Sequence, residues 1–273
     1  MKKDCIVMSI TNQKGGVGKT TTTVNLGIGL ANKGHKVLMI DFDPQGDMTT
    51  CLGLKQIDEL DVTIASLMAD SFKGNKVDFT TAIKHHEENV DFIPSNIDLA
   101  DLEMQMVSAF NRENILKNTI EDLKKHYDYI LIDCPPSLGM LSINALSASN
   151  EVLIPVQAQY LPAKGMTKLI ETINKIQKQI NRKLKISGIV LTMAQMNTNI
   201  SKSTVNFIKE NYGNHIRVFN SIIPYGVNSA EAQLTGKSLY SSFKNSQAAK
   251  AYEKLSNEIS NIYKDRNKTI LER

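Results

Sequence analysis

Seven consecutive residues, Lys14-Gly15-Gly16-Val17-Gly18-Lys19-Thr20, constrain this chain more than any other feature. They lie between a short apolar run, Ile6 to Thr11, and a segment of helical character, Thr20 to Lys33. Glycines at such spacing let successive backbone N–H groups turn inward, and a helix N-terminus directly behind adds partial positive charge. Strand, glycine-rich loop, lysine, hydroxyl and helix, in that order, are the context a P-loop requires. In this reading Lys19 reaches the β- and γ-phosphates of ATP, the Thr20 hydroxyl coordinates Mg²⁺, and Thr21 donates to the α-phosphate. The strict G-x-x-x-x-G-K-[ST] pattern is broken at one place: Gln13 stands where its first glycine belongs.

The remainder of the chain alternates strand-sized apolar runs with helix-like segments. Strands are expected at Val37 to Asp41, Val90 to Pro94, Tyr129 to Asp133, Glu151 to Val156, Ser187 to Thr192 and Val218 to Ile223. Helices are expected near Asn111 to Tyr127, Gly165 to Gln179, Lys202 to Asn211 and Gln247 to Ile262, with 53 to 88 the least regular stretch. Near-continuous Val/Ile/Leu runs indicate strands covered on both faces, hence a mostly parallel sheet. The expected architecture is an α/β fold, one doubly wound P-loop NTPase domain over residues 1–273. The last helix places Ala248, Ala251, Tyr252, Leu255, Ile259 and Ile262 on one face, which should pack on the body.

Two further stretches lie in order behind the loop: Asp41-Phe-Asp-Pro-Gln-Gly46 and Tyr129-Ile-Leu-Ile-Asp-Cys-Pro-Pro-Ser-Leu-Gly139. With Lys14 through Thr21 they resemble the deviant Walker A ATPases of the ParA/Soj/MinD group, and the short Soj-type ParA proteins most of all. Ile154-Pro-Val-Gln157, Leu191-Thr-Met193 and Ile223-Pro224 extend the likeness, which runs from about Cys5 to Ile262.

The resemblance implies a role for each matching residue. Lys14 is similar to the signature lysine that reaches across a dimer to the partner's bound phosphates. Asp43 resembles the first switch aspartate, which positions the attacking water and lies close to the metal; capping the turn Asp43-Pro44-Gln45-Gly46 is its alternative use. Asp133 resembles the Walker B aspartate that holds Mg²⁺ mainly through water, and Pro135 to Gly139 the second switch. Met193, Pro224 and Gly226 match positions that frame adenine.

The implied activity is that of a DNA-segregation ATPase. It hydrolyses ATP to ADP and phosphate, dimerises on ATP, binds DNA nonspecifically, and is released when a ParB-like partner stimulates hydrolysis. A ParA-like positioner of other cargo shares all of these parts. A MinD-like membrane regulator needs an amphipathic C-terminal helix, and the tail Lys264 to Arg273 carries few apolar residues. No membrane partner is expected. With 13 residues ahead of the loop, neither a preceding helix-turn-helix nor a secretory signal is expected. The expected location is cytoplasmic and nucleoid-associated.

Charge bears on the DNA expectation. Residues 1–163 hold 14 Lys+Arg against 21 Asp+Glu, a net of −7, whereas residues 164–273 hold 18 against 7, a net of +11. An acidic half with a phosphate site joined to a basic half suits a nucleic-acid-binding ATPase. Soj-type relatives place arginines where this chain has Asn197, Tyr225 and Asn228, so their usual contacts are missing. The candidates left are Lys202, Lys209, Arg217, Lys237, Lys244 and Lys250, with Lys254 beside them. Cys5, Cys51 and Cys134 lack metal-ligand spacing and are expected as free thiols.

Overall fold

The alternating runs form one eight-stranded sheet in a computed structural model that describes residues 4–158 and 163–271. In chain order, β1 (Ile6–Ile10) is followed by α1 (Lys19–Ala31), β2 (Val37–Asp41), α2 (Asp47–Cys51), α3 (Ile64–Lys73) and β3 (Lys84–His86). Then come β4 (Val90–Ile93), α4 (Asp98–Met106), α5 (Ile115–Thr119), β5 (Tyr129–Asp133), α6 (Met140–Ala148), β6 (Glu151–Gln157) and α7 (Ala163–Gln179). The chain closes with β7 (Lys185–Ala194), α8 (Asn199–Tyr212), β8 (Val218–Pro224), α9 (Asn228–Leu234), α10 (Leu239–Ser242) and α11 (Gln247–Leu271). Of the tail, Glu272 and Arg273 lie outside the described residues.

The strand order is β3-β4-β2-β5-β1-β6-β7-β8. Every pairing is parallel except β3 with β4, where His86 opposes Val90 across a tight connection. β1 sits between β5 and β6; the connection leaving β1 runs toward the β3 edge of the sheet and the one leaving β6 toward the β8 edge. In open α/β sheets this is where ligands bind, outside the carboxyl ends of the strands.

Continuous apolar strands serve two cores by alternation. Met8, Met39 and Leu131 face α1 and α11, where Leu26, Tyr252 and Leu255 are buried with them. Val7, Leu38, Ile130 and Ile132 face the opposite layer, with Leu67, Leu102 and Leu141. A third cluster joins Ile154, Ile189 and Leu191 to Leu169 and Ile173 of α7 and Ile208 of α8. In α11, Ala248, Ala251, Tyr252, Leu255 and Ile259 are buried as the helical spacing requires.

Two segments differ from expectation. The helix expected over Asn111 to Tyr127 is broken into 3₁₀ turns at Arg112–Asn114 and Asp122–Lys125 around the short α5. Asn144 of α6 causes part of this. Its Oδ1 accepts from Leu116 N (3.1 Å) and its Nδ2 donates to Arg112 O (2.8 Å), diverting groups an α-helix would use internally. Conversely, the irregular stretch 53 to 88 contains α3, with a Thr63/Ser66 capping box at its start and Gly74 at its end. Cys51 and Cys134 are buried, Cys5 is half-buried, and all three are free. Among the described residues no helix is long and apolar enough to cross a membrane.

Candidate functional site

Gly16 and Gly18 adopt φ of 69° and 83°, a left-handed backbone that side-chain-bearing residues rarely hold. The turn swings the chain from β1 into α1 and leaves open space above the loop: a Cβ on Gly16 would meet nothing within 4 Å. Two outside contacts fix the loop's shape. Thr192 Oγ1 of β7 donates to Val17 O (2.8 Å), and Asn12 Nδ2 donates to Pro155 O (2.7 Å) while its Oδ1 accepts from Lys14 N (3.1 Å).

The loop's two lysines differ in environment. Lys19 is 7% exposed, and its ammonium makes no hydrogen bond or ion pair among the described residues. A buried ammonium so placed favours an anion beside it, so the donor set fits a phosphate chain. Lys14 is exposed, and its Nζ donates to Gln157 Oε1 of its own chain (3.0 Å). Gln157 ends β6 inside the Ile-Pro-Val-Gln motif, but its pairing with Lys14 depends on β1 and β6 being neighbours, which no local pattern reveals.

On the cation side, Asp133 ends β5 and is fully buried, with its carboxylate aimed at α1. Thr20 Oγ1 donates to its Oδ2 (2.7 Å) and Thr23 Oγ1 to its Oδ1 (3.1 Å). Thr23 was not foreseen; one helical turn beyond Thr20, it shares that residue's face. Asp41 stands directly opposite Asp133 on the adjacent strand. Burial, reinforced by this second carboxyl, pushes the Asp133 pKa up, against the pull of the Thr20 hydroxyl and of Lys19. Burial likewise lifts Asp41, to about 7, against its bonds from Thr49 and from the Asp43 amide. A buried carboxyl held by two threonine hydroxyls of α1 suits Thr20 and Asp133 to a hard divalent cation with oxygen ligands.

Asp41 and Asp43 have separate duties. Asp41 accepts from Thr49 N (2.7 Å) and Thr49 Oγ1 (2.6 Å), tying the end of β2 to α2. Asp43 accepts from Gln45 N (3.1 Å), so the turn-capping use is present. Its half-buried carboxyl also feels Lys19; burial raises its pKa, and the Gln45 amide and then Lys19 pull it down. Asp43 thus caps its own turn within electrostatic reach of Lys19.

The residues expected around the base meet at the same rim. Met193 holds φ 51°, and a Cβ on Gly18 would lie 3.9 Å from its methyl carbon. Tyr225 N donates to Ala194 O (3.0 Å), which brings Pro224 and the exposed Gly226 beside Met193. Gln233 was not anticipated: its Nε2 donates to Thr21 Oγ1 (2.9 Å).

The basic candidates are dispersed. Lys202 and Lys209 are exposed on α8, and Arg217 is exposed just before β8. Lys237 pairs with Glu87 (3.3 Å). Lys244 lines a groove with Lys33, Glu88 and Glu253, whereas Lys250 shares a different one with Lys254 and Asn220, between α11 and edge strand β8. Asn197 and Tyr225 are exposed, and Asn228 opens α9 half-buried.

A protein family described as an AAA domain matches residues 5–186. The chain is 41% identical over 253 residues to the sporulation initiation inhibitor protein Soj of Bacillus subtilis, covering 93% of this chain and 97% of that one. It is 42% identical over 248 residues to the chromosome-partitioning ATPase Soj of Treponema pallidum, covering 91% and 94%. The chain belongs to the Soj/ParA family of partition ATPases. A solved structure with this fold is that of cobyrinic acid a,c-diamide synthase from Mycobacterium smegmatis, at 31% identity and a TM-score of 0.82, covering 95% of this chain and 96% of that one. That protein was solved with ADP and magnesium, and also with an ATP analogue and magnesium. Soj/ParA membership makes this chain an ATPase.

Proposed function

We propose that this family member is a DNA-partition ATPase in which ATP with Mg²⁺ joins two subunits. The observation carrying the proposal is the division between the loop's two lysines. Lys19 is buried and turned inward, while Lys14, five residues earlier, stands exposed at the rim on Gln157. One lysine would serve its own subunit's phosphates, and the other would serve a partner's. The supplied chemistry is a triphosphate whose charge two cations share, so nucleotide binding and association are linked.

The carboxyl-end rim supports such a face. Met196, Ile200, Tyr225 and Val227 are between 44% and 65% exposed there, apolar surface of a kind that association would cover. Within the site, Lys19 and the loop amides would hold phosphates, Thr20 and Asp133 would hold Mg²⁺ with Asp43 close to it, and Asp43 would orient water. Met193, Pro224 and Gly226 would border the base. The lysines of the C-terminal half, with Lys250 and Lys254 foremost, would contact DNA phosphates without reading sequence. A ParB-like partner would accelerate hydrolysis and release the dimer from the nucleoid.

The test is DNA association measured with ATP, with ADP and without nucleotide, across a salt series. Binding confined to ATP, falling steeply with salt, is the expected result. Equal binding in all three states would contradict the linkage between nucleotide and DNA.

A further inference from the structure

Thr21 stands apart among the threonines that follow Lys19. A threonine inside a helix commonly donates its hydroxyl to the carbonyl four residues back, and Thr23 shares its one hydroxyl hydrogen between Lys19 O (3.0 Å) and Asp133 Oδ1 (3.1 Å). The carbonyl four residues before Thr21 is Val17 O, which instead accepts from Thr192 Oγ1. Thr21 Oγ1 receives a hydrogen bond from Gln233 Nε2 (2.9 Å). An amide nitrogen only donates, so the hydroxyl oxygen is the acceptor in this contact and its own hydrogen stays available to a further acceptor.

Gln233 is delivered to this position by anchors independent of nucleotide. It lies near the end of α9, and the chain beyond α9 is pinned at three points. His86 Nε2–H donates to Gly236 O (3.1 Å), Ser238 N donates to Glu88 Oε1 (2.8 Å), and Leu239 N donates to Asn25 Oδ1 (3.0 Å). Asn25 in turn donates to Thr21 O (2.8 Å), so one helical face carries both ends of the connection. Gly236, at φ 70°, also lies directly against Gly53, where a Cβ would come within 2.8 Å of the Gly53 Cα. The far end of α9 thus has little freedom to withdraw Gln233.

We propose that Gln233 is a positioning residue for nucleotide binding: by donating to Thr21 Oγ1 it turns the Thr21 hydroxyl hydrogen toward the α-phosphate. The inference rests on the placement of ATP in the loop described above. It makes a prediction that simple docking of α9 does not. Gln233→Glu keeps size and shape but replaces the donor by an acceptor, which would draw the Thr21 hydrogen to itself and set negative charge beside a phosphate.

The experiment measures affinity for fluorescently labelled ADP and ATP, with Mg²⁺, in wild type, Lys19→Ala, Gln233→Ala, Gln233→Glu, Thr21→Val and the Thr21→Val/Gln233→Ala pair, with thermal unfolding of each nucleotide-free protein alongside. Gln233→Ala is expected to weaken both nucleotides by the same factor, roughly fivefold, because both carry the α-phosphate. Gln233→Glu is expected to be worse than Gln233→Ala, and Gln233→Ala to add nothing in the Thr21→Val background. A melting temperature lowered with affinity unchanged, Gln233→Glu binding as well as wild type, or additive losses in the pair would overturn the proposal. Failure of the wild type to bind either nucleotide would remove the placement of ATP itself. Binding lost in Lys19→Ala but unaffected by Thr21→Val would leave that placement standing and refute only the role of Gln233.

Discussion

In the phosphate site, side chains from four separate stretches of chain converge. Thr20 and Thr23 reach Asp133, Asp41 holds Thr49 across the end of the sheet, and Lys19 is buried among them. The basic residues of the C-terminal half show the opposite arrangement: Lys250 and Lys254 share a groove, Lys244 lines another, and Lys237 is engaged by Glu87. A site that must orient charge around a few atoms needs fixed distances and low dielectric. A surface that meets a phosphate backbone needs positive charge in the right region and little geometry. Substitution should therefore act sharply in the first region and gradually in the second.

The sharpest expected effect is at Asp43. Asp43→Ala should reduce ATP hydrolysis by at least about a hundredfold, the range for losing a group that orients or deprotonates water, while leaving nucleotide binding near wild type. Steady-state phosphate release beside equilibrium nucleotide binding checks it; turnover at the wild-type rate would reduce Asp43 to the cap of its own turn. Lys19→Ala comes next. Losing a charged donor to the phosphates should cost about 3 kcal/mol, roughly a hundredfold in ATP affinity, read by titration with a fluorescent nucleotide.

A smaller, graded effect is expected on the basic surface. Lys250→Ala with Lys254→Ala should weaken DNA binding severalfold and lower the slope of log affinity against log salt by about 2. Lys237→Ala should leave that slope unchanged, since Glu87 already engages its ammonium. Abolition of binding by the pair would mean that the surface is a geometrically defined site, and the contrast between the two regions would collapse.

The same contrast explains what was legible in the sequence. The loop, Asp43 and Asp133 could be read because each sits at a strand end whose apolar run is contiguous in sequence, and strand ends fix where a side chain points. Most strands were found for the same reason. Gln157 and Gln233 act on residues brought near only by the strand order or by the packing of α9, so no local pattern marks them, whereas Thr49 meets Asp41 through the turn that leads from β2 into α2. Thr23 was within reach through its helical spacing from Thr20. The helix expected around α5 fails because Asn144, distant in sequence, takes its backbone groups. The edge strand β3, three residues long, had too short a pattern to register. The basic patch read from net charge disperses because charge counted along the chain carries no information about which face each lysine occupies.

The outward turn of Lys14 is the point on which the proposed cycle depends. The direct measurement is sedimentation velocity of wild type and Lys14→Ala, each with ATP and Mg²⁺, with ADP and Mg²⁺, and without nucleotide, with nucleotide affinity measured on the same preparations. Wild type should sediment as a dimer with ATP alone. Lys14→Ala should bind ATP within a fewfold of wild type, because Lys19 remains, yet stay monomeric in all three conditions. An ATP-dependent dimer of undiminished strength in Lys14→Ala, or a wild type that never associates, would contradict the account.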